Sequence, residues 1–195
     1  DVILVAVKNE IVEQMTRSFA QAGLQPSLVD VSVLAIYNCL NHNQTVHPGT
    51  SSLILDIGAK TTHMIVADRG AIWVRNIPIA GNHLTQAIAE GMNIGTEEAE
   101  KIKIGLGMGK SEFGLDTQAK QQLYTTVDKA LGRLFAEVSR SLGFYRSQYP
   151  NAIVNDVYLC GGGALLRGLE QAAKERFNLP VKRLDSLAGF QAGAG

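Results

Sequence analysis

The sequence predicts an α/β fold built on a mixed sheet, and three observations carry that prediction. Three short apolar segments follow one another between residues 52 and 77, helical and strand-like segments alternate to the end of the chain, and one long amphipathic stretch lies between. Element by element, residues 2–7 form an apolar run with the look of a buried strand. Residues 9–22 carry Ile11, Val12, Met15 and Phe19 at helical spacing, and Gly23 stops that helix. Residues 25–29 are a second strand candidate, and Ser32 is placed to cap a helix that buries Val33, Ile36, Tyr37 and Leu40. The opening therefore reads strand, helix, strand, helix. Residues 41–50 are polar with Pro48 and Gly49, which marks a boundary between residues 1–50 and 51–195. Residues 52–56, 61–67 and 71–77 read as an antiparallel meander, its last two strands joined by a turn at Asp68, Arg69 and Gly70. Helices are expected over 82–90 and 96–104, a glycine-rich loop over 105–114, and a long helix over 117–147. A strand at 153–160, a helix at 165–177 and a strand at 181–184 after Pro180 complete the alternation, with helices covering both faces of the sheet.

At 195 residues and 46% hydrophobic content, the chain suffices for one large domain or two small ones. Eighteen basic residues balance eighteen acidic ones, so the sequence lacks the broad positive field that favours nucleic acid or anionic lipid. Cys39 and Cys160 lie in apolar runs and form neither a disulfide framework nor a zinc spacing, which predicts a reducing, cytoplasmic compartment. No apolar stretch has the length of a membrane span, so direct membrane insertion is not expected. The chain begins with Asp1 and shows no signal-peptide pattern.

Two glycine turns and one charged helix carry chemistry. In Leu53-Ile54-Leu55-Asp56-Ile57-Gly58-Ala59-Lys60-Thr61-Thr62-His63, a strand ends on an acid and a glycine turn leads to two hydroxyls. Gly58 permits close approach of backbone to phosphate, successive N–H groups form an anion-binding nest, and the threonines donate hydrogen bonds. Asp56 sits beside phosphate only with a cation between them, and a hydrated Mg²⁺ suits it. The same residues also fit a hairpin turn in which Asp56 caps the backbone and Gly58 supplies a positive φ. In Val157-Tyr158-Leu159-Cys160-Gly161-Gly162-Gly163-Ala164, three glycines open a bare-backbone surface for a flat ligand in front of a helix N-terminus, or simply make a tight connection. On the helix over 96–104, Glu100 and Lys103 lie three apart on one face with Glu97, Glu98 and Lys101 nearby. They fit either a pair that holds two ribose hydroxyls or a solvated face. The four histidines are scattered, and no activated serine or cysteine stands out.

The turn DIGAKTTH, the later GGGALLRGL and the strands between them resemble the second half of the actin-like ATPases, a superfamily of ribonuclease H-like fold that includes actin, heat-shock chaperones and sugar kinases. The order of motifs looks most like the PilM family of type IV pilus assembly, with the FtsA family of cell division second. VILVAVKNEIVEQMTRSFAQAGLQPSLVDVSVLAI, RNIPIAGNHLTQAI and EEAEKIK extend the likeness over most of the chain. The resemblance implies ATP and Mg²⁺ as cofactors. By position, Asp56, Gly58, Lys60, Thr61 and Thr62 match the second phosphate loop, with Asp56 holding Mg²⁺ through water. Gly161, Gly162 and Gly163 match the adenosine turn, and Glu100 and Lys103 match the ribose-contacting pair. Gly81 matches a glycine that approaches the phosphates, although Ala80 replaces the first glycine of the usual pair. Asp30 falls near the attacking water of the superfamily, and it also fits a cap for the helix after Ser32.

No counterpart of the superfamily's first phosphate loop occurs in the sequence. The resemblance thus implies that residues 1–50 are the remainder of a first lobe, that residues 51–195 form the second lobe with a helical insertion at about 92–116, and that hydrolysis by this chain alone is weak or absent. It implies a cytoplasmic ATP-binding scaffold, peripheral to the inner membrane, that links the cytoplasmic N-terminal tail of a PilN-like protein to pilus motor components and so to twitching motility, with self-association as a further option. Two alternatives stand beside it. One is an ATPase or kinase of the superfamily using Asp30 or Asp56. The other is an FtsA-like tether, for which residues 187–195 are too small and glycine-rich to supply a membrane helix.

Overall fold

A computed structural model of the chain describes residues 4–43, 49–68, 70–110 and 113–189. Its helices are α1 (Asn9–Gln21), α2 (Ser32–His42), α3 (Gly81–Met92), α4 (Thr96–Gly107), α5 (Thr117–Gln148) and α6 (Leu169–Phe177). The strands are β1 (Ser51–Ile57), β2 (Thr62–Asp68), β3 (Ala71–Ile77), β4 (Val154–Cys160) and β5 (Val181–Arg183), and a 3₁₀ turn spans Gly162–Leu165. The sheet order is β3-β2-β1-β4-β5. The β1, β2 and β3 strands pair antiparallel, while β4 joins β1, and β5 joins β4, in parallel. This is the mixed sheet that the sequence predicts.

The two faces are built by strict alternation. Leu53, Leu55 and Ile57 of β1, Met64 and Val66 of β2, and Val157 and Leu159 of β4 point into a large core closed by α3, α4, α5 and α6. Their neighbours Ile54, Ile65, Ala67 and Tyr158 form the opposite core with Leu40, against which Val33, Ile36 and Tyr37 of α2 pack. Because β1 is covered on both sides, it reads as a continuous apolar run. The stripe of α5 holds as predicted: Leu123, Val127, Leu131, Leu134, Val138 and Leu142 are all buried. Asp116 caps this helix by accepting a hydrogen bond from the Ala119 N–H at 2.8 Å. Tyr37 fastens α2 to the sheet; its hydroxyl donates to the Asp68 carbonyl at 3.1 Å and accepts from the Gly70 N–H at 2.9 Å.

The opening of the chain departs from expectation. Neither strand expected at 2–7 and 25–29 is formed among the described residues; positions 2 and 3 lie outside them. A strand needs a ladder partner for its N–H and C=O groups, and among the described residues none adjoins these segments. Leu4, Val5, Val7, Leu28 and Val29 are all exposed. Helix α1 forms where predicted, yet none of its residues is buried. The N-cap of α2 is Val31 in extended conformation, and Ser32 is the first helical residue instead of the cap. Asp30 is no helix cap either: among the described residues its carboxylate accepts only from the adjacent Val31 N–H, at 2.8 Å.

Two further corrections involve glycines. Helix α4 continues through Gly105 to Gly107, into the expected loop; the rest of that loop includes positions 111 and 112, outside the described residues. Both glycines serve close packing within the helix: a Cβ on Gly105 would lie 2.7 Å from the Phe113 ring, and one on Gly107 would lie 3.3 Å from the Leu165 carbonyl oxygen. The helix expected at 165–177 is divided. A left-handed Gly168 (φ 85°) separates the 3₁₀ turn from α6, so no α-helix N-terminus directly follows the three glycines. Part of the linker (44–48), Arg69 and the last residues (190–195) lie outside the described residues.

Candidate functional site

The parallel pairing of β1 and β4 sets Asp56 opposite Cys160, so both glycine turns emerge at the same end of the sheet, beyond the C-terminal ends of two adjacent interior strands. At the first turn, the Gly58 N–H donates to the Thr61 carbonyl at 3.1 Å, which closes the loop on itself. The start of α3 is docked onto it: the Gly81 N–H donates to the Gly58 carbonyl at 3.0 Å and the Asn82 N–H to the Ala59 carbonyl at 2.8 Å. Thr62 is fully buried, and its hydroxyl donates to the Ile79 carbonyl at 2.7 Å. Its hydrogen is therefore committed to holding the turn against the segment before α3, which corrects the expectation that it donates to phosphate. Gly58 does not have a positive φ either. It is required because a Cβ there would lie 2.9 Å from the Thr61 oxygen. Among the described residues, the N–H groups of Ala59, Lys60 and Thr61 donate to no backbone carbonyl, the condition for a nest that accepts an anion.

The second turn is shaped by contact with the first strand. Gly161 has φ 77°, and a Cβ on it would come within 2.6 Å of both the Asp56 Oδ1 and the Ile57 carbonyl oxygen. A Cβ on Gly163 would overlap the Ile57 Cγ2 at 2.3 Å. These positions accept only glycine, and the N–H groups of Gly162 and Gly163 donate to no backbone carbonyl among the described residues.

Between the turns lies a cavity of about 440 Å³. Gly58 and Ala59 line it at one end, Gly162, Gly163 and Leu165 at another, with Gly81, Glu100 and Lys103 on its wall. Apart from His83 of α3, its remaining surface is apolar, supplied mainly by Ile104 and Met108 near the end of α4, Leu131 and Leu134 of α5, and Leu169 of α6. A concave, mostly apolar space with a few convergent polar groups is the usual form of a small-molecule site. Lys103 and Glu100 are joined at 2.7 Å, and the lysine side chain is only 16% exposed. Burial pushes the Glu100 carboxyl up, but hydrogen bonds from Lys103 and Thr85, together with the Lys103 charge, outweigh it and hold the carboxyl below its ordinary value. By contrast, Lys101 and Glu97 pair at 2.8 Å on the exposed side of α4, a solvated face.

Several predicted residues stand elsewhere. Asp56 and Gly161 line a neighbouring cavity of about 540 Å³ with Cys39, Cys160 and Arg183. Among the described residues the Asp56 carboxylate makes no hydrogen bond, and no cluster of three metal-ligating side chains occurs. Asp30 and Lys60 are exposed and line neither cavity. Burial, with Asp56 and Cys39 nearby, pushes the Cys160 thiol up to about 12. Sequence reasoning missed Thr85 and the apolar walls from α5 and α6. Thr85 carries a signal in retrospect, because it lies one helical turn after Gly81 and shares its face.

The fold and the paired turns define the class: this is an actin-like ATPase fold. The solved "PilM-PilN type IV pilus biogenesis complex" superposes with a TM-score of 0.73 at 26% identity over 94% of this chain and 50% of that one. MreB5 of Spiroplasma citri bound to ADP matches the fold with a TM-score of 0.60 at 20% identity over 94% of this chain and 64% of that one. The family profile described as "Type IV pilus assembly protein PilM" matches residues 1–195, and the chain belongs to that family. Among curated relatives, the cell division protein FtsA of Pseudomonas aeruginosa is 29% identical over 145 residues, 66% of this chain and 34% of FtsA. The chain thus spans half or less of the length of these pilus and cell-division relatives.

Proposed function

We propose that the cavity binds ATP and that the protein is a nucleotide-dependent scaffold of type IV pilus assembly. One observation carries the reading: both glycine turns and the Glu100–Lys103 pair, far apart in sequence, open onto one cavity. The residues fit the ligand. The N–H groups of Ala59, Lys60 and Thr61, which donate to no backbone carbonyl among the described residues, would receive phosphate, with Thr61 as a hydroxyl donor and Lys60 as an exposed cation on the same turn. Gly81 leaves room for the phosphates beside Gly58. Gly162 and Gly163 give the base a bare backbone surface, with Gly161 turned to the neighbouring cavity, and Leu165, Leu169 and Met108 line the space around the base. A Mg²⁺ ion would neutralise phosphate charge, and Asp56, whose carboxylate makes no hydrogen bond among the described residues, would hold it through water.

The same reading assigns residues 1–50 to the remainder of a first lobe and residues 51–195 to the second, with an insertion around α4. Nucleotide bound between lobes favours one conformation over another, and a partner that distinguishes the two reads the nucleotide state. The partner we assign is the cytoplasmic tail of a PilN-like inner-membrane protein, the kind of protein bound in the similar complex. That contact holds the protein at the membrane and connects it to motor components; no helix among the described residues is long and apolar enough to cross a membrane. The proposal is confined to binding: of the two candidate catalytic acids, Asp30 lines neither cavity and Asp56 lines the neighbouring one.

Two titrations test it on full-length protein. ATP binding in the presence of Mg²⁺ is expected, with clear loss on Gly81→Val. A PilN-type tail peptide is expected to bind with different affinity with and without ATP; equal affinities in the two states would refute the coupling.

A further inference from the structure

Thr85 sits behind the cavity wall, where its hydroxyl meets Gly81, Glu100 and Lys103, three residues that line it. It is 8% exposed and sits on α3, four residues after Gly81. Its hydroxyl lies 3.1 Å from the Gly81 carbonyl oxygen, an ordinary contact for a helical threonine. The same hydroxyl also meets Oε2 of Glu100, and it accepts a hydrogen bond from the Lys103 ammonium at 2.9 Å. Lys103 donates further to Glu100 Oε2 at 2.7 Å and to the Gly81 carbonyl at 3.3 Å. An ammonium has three N–H groups, and three acceptors on the protein take them all. In this arrangement all three donors of Lys103 are directed at protein acceptors.

The consequence falls on Glu100. Its Oε2 accepts from both Thr85 and Lys103, while Oε1 has no partner among the described residues and the side chain is 42% exposed on the cavity wall. A carboxylate fixed through one oxygen presents the other as an acceptor in a defined place, and a sugar hydroxyl is a donor that fits it.

We propose that Thr85 is a positioning residue that locks Glu100 with one oxygen free, and that this makes the site select nucleotides that retain their ribose hydroxyls. The inference rests on the nucleotide reading above, in which Glu100 meets the ribose, and adds to it the residue that holds that acid in place. Without the hydroxyl, Glu100 has only the lysine to hold it and turns on its own side-chain bonds. The acceptor is then no longer fixed where the sugar meets it.

The test compares ATP with 2′,3′-dideoxy-ATP by calorimetry on the full-length protein, with thermal melts to check folding. Wild type is expected to prefer ATP by about tenfold, the contribution of one charge-assisted hydrogen bond. Thr85→Val, isosteric but without the hydroxyl, reduces the preference to less than about threefold, and Thr85→Ser restores it. Thr85→Ala repeats the loss if valine disturbs the helix. A Thr85→Val protein that weakens both nucleotides by the same factor, or keeps the full preference, overturns the assignment and leaves nucleotide binding standing. Binding of neither nucleotide by wild type overturns both.

Discussion

At the β1–β2 turn the glycine answers to the loop's own backbone, whereas at the end of β4 two glycines answer to a different strand. Gly58 has an ordinary φ and is needed only because the Thr61 oxygen lies where its Cβ would be. Gly161 combines a left-handed φ with contact against Asp56 and the Ile57 carbonyl, and Gly163 lies against the Ile57 side chain. The first turn is thus a local device that α3 then fastens. The second is a fitted joint between strands, and disturbing it disturbs β1 as well.

The contrast orders the expected effects. Gly161→Ala is the most damaging, at about 3 kcal/mol of stability from left-handed strain plus overlap with fixed backbone, measured by urea unfolding. Gly58→Ala costs less, about 1–2 kcal/mol, because a single oxygen within the loop has to shift. If both variants lose the same amount, the distinction between the turns fails. Thr62→Val leaves the Ile79 carbonyl without its donor and lowers stability by about 1 kcal/mol, while Thr62→Ser stays near wild type in the same assay. For Glu100→Gln the effect is smaller and depends on pH. The native Glu100 carboxyl lies below its ordinary 4.5, so its stabilising contribution is present above 4.5 and disappears as pH falls through the lower native value. The melting temperatures of wild type and Glu100→Gln therefore converge on acidification. The smallest effect is chemical: with its thiol at about 12, Cys160 is thiolate in only about one molecule in 10⁴ at pH 8. It should resist iodoacetamide when peptides are mapped by mass spectrometry.

The sheet and its two layers were legible in the sequence because β1, β2 and β4 alternate side chains between two real cores, so their pattern reports tertiary structure. Residues 2–7 and 25–29 have equally good strand composition, but among the described residues no strand pairs with them, and composition does not reveal a partner. Helix α1 makes the same point: periodicity predicted the helix, not its lack of buried contacts. In the site, motif and spacing brought out Gly58, Glu100, Lys103 and the three glycines after β4, and Gly81 came from the family resemblance alone. It could not show that Thr62 turns inward to Ile79, or that Lys103 spends every donor on its neighbours, because both depend on which oxygens arrive from other elements.

The mixed pairing of β1 also bears on how the protein is made. Its antiparallel partner follows at once through a short turn, so the β1–β2–β3 meander forms from local contacts. Its parallel partner β4 arrives only after the whole stretch from Thr62 to Ala152 has been synthesised and arranged. Pairings so distant in sequence are slow, since the chain loses the entropy of a long loop before the contact returns anything. The glycine joint is completed in that last event, so a refolding chain acquires its cavity late, and a ligand that enters it holds the two ends of the fold together.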